Sequence, residues 1–101
     1  MNRKDDTDYR DIDSLVQTIK QCHDDAVNLY TPDAERLCRM NATVDEVADF
    51  LDGLLSFAID DRILALFKKV CRHYFYKYPQ MVNDYVMIYH EQYEPEKLEK
   101  Q

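Results

Sequence analysis

Thr43-Val44-Asp45-Glu46-Val47-Ala48-Asp49-Phe50-Leu51-Asp52-Gly53-Leu54-Leu55-Ser56-Phe57-Ala58-Ile59 is the stretch that decides the fold class. It opens on Thr43 and Glu46, three residues apart. At that spacing a threonine hydroxyl and a glutamate carboxylate satisfy each other's backbone donors at a helix start. Val44, Val47, Ala48, Leu51, Leu54, Leu55, Ala58 and Ile59 then recur at the three- and four-residue spacing of a helix with one apolar face. Phe50 and Phe57 widen the stripe enough to serve two neighbours. Gly53 falls on the polar side, where it weakens a helix by about 1 kcal/mol relative to Ala, and it marks a candidate break.

The same period extends outward in both directions. Over 10–30, Ile12, Leu15, Val16, Ile19, Ala26, Val27 and Tyr30 share one face, opposite Asp13, Gln17, Asp24 and Asn28. Thr31-Pro32-Asp33 is a stop-and-restart signal, because threonine caps a helix and proline suits its first position. A short helix over 32–40 is therefore expected, burying Leu37 and Met40 and ending at Asn41. Asp60-Asp61 is the next cap. Ile63, Leu66, Phe67, Val70, Tyr74 and Tyr78 form an apolar face over 62–78, and Pro79 closes that segment. A last amphipathic segment over 80–93 groups Met81, Val82, Tyr85, Val86, Ile88, Tyr89 and Tyr93.

The chain has 101 residues, one Gly and three Pro. An all-β domain needs a turn signal roughly every 8–12 residues, and those signals are missing. The expectation is all-α: a compact bundle of four or five short helices. It forms a single domain over 10–94, between a disordered polar N-terminus at 1–9 and a charged tail at 95–101.

Charge is segregated along the chain. Residues 1–61 carry 15 acids and 6 bases, a net of −9. Residues 62–90 carry one acid and five bases, a net of +4. The basic stretch also holds Phe67, Tyr74, Phe75, Tyr76 and Tyr78. The overall −7 disfavours nonspecific binding to nucleic acid or anionic membrane. No run approaches the roughly 18 apolar residues of a spanning helix, and the polar start has no signal-peptide core. A cytoplasmic protein is expected. Three widely spaced cysteines, Cys22, Cys38 and Cys71, suggest reduced thiols rather than a disulfide framework.

Each sharper chemistry meets a plainer reading. Asp45, Asp49 and Asp52 form an acidic ridge, and paired carboxylates on facing helices can hold Mg²⁺. That arrangement is similar to the metal sites of all-α nucleotide pyrophosphohydrolases and implies a metal-dependent hydrolase. Here the ridge lies opposite the apolar stripe and no second acidic helix faces it, so a solvated ridge is the ordinary reading. Cys22-His23 and Cys71-Arg72-His73 do not have zinc-site spacing. His23 lies on the apolar face as a hydrogen-bonded core histidine. Ser14 and Ser56 lie in no glycine-rich turn, so no nucleophile elbow exists. No catalytic residue, metal or cofactor is expected.

The stretch 42–51 resembles the first helix of a helix-turn-helix, with Ala48 at the crossing and Gly53 as the turn. That segment, 43–62, would make the chain a nucleic-acid-binding protein. Its second helix, however, would present Asp60 and Asp61, which duplex DNA repels. The expectation is a non-catalytic protein-interaction module of the inhibitor, immunity or accessory-factor type. Its binding face is built on Lys69, Arg72, Tyr76, Tyr85 and Tyr89, and its partner is another protein or a second copy of itself.

Overall fold

Four helices and no strand make up the described residues of the computed structural model: α1 (Arg3–Arg39), α2 (Val44–Leu55), α3 (Asp61–Tyr74) and α4 (Pro79–Tyr93). The description covers residues 3–96, with side chains from Ile12 onward. Residues 3–9 of the expected disordered segment 1–9 belong to α1, and of the expected charged tail 95–101 only residues 95 and 96 are described.

The expected break at Thr31-Pro32 is absent, and the two expected N-terminal helices are one, with Pro32 inside it. Proline removes the bond to the carbonyl four residues back, here that of Asn28. Both Pro32 and Asn28 are exposed, so water can serve that carbonyl. The helix is held together from its other side. Ala26, Ala34 and Leu37 are buried, and the Tyr30 ring meets the rings of Phe50 and Phe57 at 5.7 and 6.4 Å. Packing outweighs the local stop signal.

The helix at 44–55 starts as expected. Glu46 N donates to Thr43 Oγ1 at 3.2 Å, and Thr43 N donates to Glu46 Oε1 at 2.8 Å. Gly53 does not break it. A β-carbon at 53 would stand 3.0 Å from the Tyr30 hydroxyl, so the missing side chain leaves room for the end of the Tyr30 ring. The break falls at 56–60, a run of tight turns ending at Asp60. Val44 and Ile59, expected inside, are 41% and 71% exposed, because one opens the helix and the other lies in that turn.

Contacts give the directions. Asp24 lies beside Arg62 and Leu37 beside Tyr74, so α1 and α3 run parallel. Glu46 and Asp49 border the same depression as Leu37 and Met40, while Gly53 faces Tyr30, so α2 runs antiparallel to α1. The core between them is centred on Val47, Leu51, Leu54, Ile63 and Val70, with Val82 brought in from α4. Tyr74 ties the connection together. Its hydroxyl contacts the carbonyls of Leu37 and Met40 at 2.5 and 2.8 Å and accepts from Ala42 N at 3.2 Å. These carbonyls at the end of α1 have no helical donor of their own.

The first half of α1 stands outside this core. Ile12, Leu15, Val16 and Ile19 are 56%, 58%, 56% and 48% exposed, where the periodicity led us to expect burial. A 100-residue domain has a radius of gyration of about 13 Å; this one has 17.5 Å and measures 60 × 36 × 19 Å. The long axis is set by α1, whose 37 residues span roughly 55 Å at 1.5 Å each.

Candidate functional site

The second half of the chain builds a groove between α3 and α4. Asp60 starts α3: Asp60 Oδ1 accepts from Arg62 N at 2.8 Å, and the Arg62 side chain returns to both carboxylate oxygens. The same guanidinium reaches Asp24 at 3.0 Å, and His23 Nδ1 lies 3.5 Å from Asp60. This network fixes the start of α3 against α1. The Arg62 hydrogen bond holds the Asp60 carboxyl well below the usual carboxylate range, against the opposing effect of its burial. His23 is half-buried with its ring edge-on to Phe57, at the margin of the core rather than inside it.

Leu64, Phe67 and Cys71 of α3 and Val86 and Tyr89 of α4 line a groove of about 380 Å³ with an apolar floor. Lys68 and Arg72 edge it on the α3 side, and His90 and Glu94 edge it on the other. The His90 ring contacts Glu94 Oε1 at 2.8 Å. Burial pushes the Cys71 thiol up to about 12, with Arg72 acting in the opposite sense. Burial, then the nearby Glu94 carboxylate, raises the Tyr89 hydroxyl. The Phe67 and Tyr89 ring centroids lie 6.0 Å apart. Tyr93 donates to Leu55 O at 2.6 Å, pinning α4 to the end of α2.

Of the five residues expected to form the binding face, only Arg72 and Tyr89 line this groove. Lys69 lies on the α1 side, where its charge acts on the Cys38 thiol. Tyr76 is 90% exposed in the turn after α3, its ring 5.6 Å from that of Phe75. Tyr85 turns toward α2: burial first, then its hydrogen bond to Asp52, raises its hydroxyl to about 12. The five therefore do not form one surface. The groove residues left out of that expectation carried a signal all the same. Leu64, Lys68 and Cys71 fall at i, i+4 and i+7, and with the expected Arg72 at i+8 they make one stripe along α3.

The acidic ridge takes a different role. Asp45, Asp49 and Asp52 are exposed, and Asp49 and Asp52 act on Tyr85. Among the described residues no group of three or more His, Cys, Asp or Glu is placed to hold a metal ion. The helix-turn-helix register also shifts, because Gly53 lies inside α2 and Leu54 is buried as part of that helix. No described helix is long and apolar enough to cross a membrane. Compared with known proteins, the chain matches no family model, no curated protein and no solved structure.

Proposed function

We propose that the chain is a non-catalytic, cytosolic protein-interaction module. Its α3/α4 groove takes an apolar helical segment with acidic flanks from another polypeptide. The observation that carries this reading is an apolar floor walled by Lys68 and Arg72 in a protein whose net charge is −7. Helix-in-groove recognition needs a floor for the apolar side chains and a charged wall that selects orientation. Nucleic acid is a weaker occupant, since two wall cations neutralise few phosphates against a strongly acidic chain.

A benzophenone side chain placed at position 86, in the groove, tests this in cells that express the protein. The expected result is a discrete protein adduct that disappears when Lys68→Glu and Arg72→Glu are combined. A probe at position 35, on the exposed side of α1, should not give it. No protein adduct from position 86, or the same adduct from both positions, overturns the proposal.

A further inference from the structure

The projecting half of α1 carries an apolar face that no other described part of the chain covers. Ile12, Leu15, Val16 and Ile19 lie on one side of the helix, each about half exposed, and Cys22 continues the row, also exposed. Such a row at helical spacing is what a groove-binding helix presents. Its surroundings are acidic. Residues 1–25 carry seven acids and four bases. The α3/α4 groove has an apolar floor, with Lys68 and Arg72 on its α3 edge and the His90–Glu94 pair on the other.

We infer that two copies of this chain dock reciprocally, the 12–19 face of each α1 seated in the α3/α4 groove of the other. The inference rests on the groove being the binding surface and names its occupant. Three features favour a second copy. The charges are complementary, an acidic helix against a basic wall, whereas pairing two α1 helices face to face would bring like charges together. The geometry closes, because α1 passes the first turn of α3 where Asp24 meets Arg62, and Ile12 lies twelve residues earlier, about 18 Å along the helix. The groove begins at Leu64, two residues past Arg62. A two-fold axis that sets the α3 starts end to end therefore brings each projecting helix alongside the other's groove. The area is also sufficient. Each docked face covers roughly 400 Å² and as much of the groove, so reciprocity brings the total to about 1,600 Å², the size of a specific interface.

Light scattering and sedimentation equilibrium on the full chain test this with two variants. Leu15→Glu with Ile19→Glu spoils the docking helix, and Lys68→Glu with Arg72→Glu spoils the groove wall. All four residues are exposed, so both proteins should keep wild-type helicity and urea midpoints. The wild type should form dimers, and each variant should dissociate at least tenfold more readily. An equimolar mixture of the two should recover part of the dimer, since that pair retains one intact contact.

A wild type that stays monomeric to several hundred micromolar overturns the inference, as does a dimer unaffected by Leu15→Glu with Ile19→Glu. A groove variant that dimerises like the wild type, while the helix variant does not, overturns it in favour of direct α1 pairing. The position-86 adduct separates this failure from failure of the groove itself. An adduct of twice the chain mass belongs to a second copy; any other discrete mass keeps the groove and rejects this occupant.

Discussion

The two halves of α1 share one helical period and differ in what meets it. Beyond Ala26 the apolar face is buried: Ala34 is 0% exposed and Leu37 8%. Before Ala26 the same face points to solvent, with Leu15 58% exposed. Spacing along a helix shows which side is apolar. It does not say whether the fold has anything to place against that side. Here α2 and α3 are 12 and 14 residues long, so they can cover only part of a helix of 37.

The widest gap between the halves should appear on truncating matched leucines. Leu37→Ala should lower unfolding stability by about 3–4 kcal/mol through a core cavity. Leu15→Ala should change it by less than about 0.5 kcal/mol in the dissociated chain. Urea midpoints at low protein concentration measure both, and equal losses would end the comparison. Pro32→Ala comes next. It restores a donor in an exposed helix interior and should add about 2–3 kcal/mol. No gain would mean that the proline shapes how α1 lies on its neighbours.

Tyr74→Phe tests the grip on the end of the buried half. It leaves the Leu37 and Met40 carbonyls and the Ala42 N–H without their shared hydroxyl, at about 2 kcal/mol. Amide exchange should quicken over 37–42 and stay unchanged over 12–20; a uniform change would show that the hydroxyl is not a local tie.

The smallest effect concerns the point where the two halves meet. Asp60 has a folded pKa below its unfolded value, so its contribution is full above about pH 4 and lost as pH falls through the folded value. For a solvent-screened cluster this amounts to under about 1 kcal/mol. Asp60→Asn should flatten the acid limb of the stability curve below pH 4 and leave its slope near neutrality alone. An unchanged acid limb would detach Asp60 from the junction.

Much of the fold was legible because it is locally encoded. Thr43 and Glu46 announce the start of α2 and Asp60 caps α3, each within one helical turn, whereas Pro79, read as closing the helix over 62–78, opens α4 and α3 already ends at Tyr74. The misreadings arise where distant residues decide. Thr31-Pro32 is a stop signal overruled by the packing of Tyr30, Ala34 and Leu37. Gly53 resembles a break until the Tyr30 hydroxyl is placed against it. The basic stretch was visible as composition. Its division was not, because sending Lys69 toward α1 and Arg72 into the groove depends on which helices flank α3. Tyr85 was likewise grouped with Tyr89, and only the position of α2 separates them.

The three thiols form a graded clock. Cys22 is exposed on the projecting helix, Cys38 is half-shielded, and Cys71 lies at the groove floor with its thiol held protonated near neutral pH. Thiolate is the reactive form, so alkylation should proceed in that order. A single mass-spectrometric time course on the unaltered chain would then time three events in turn: the uncovering of the free helix, the loosening of α1 from its neighbours, and the parting of α3 from α4.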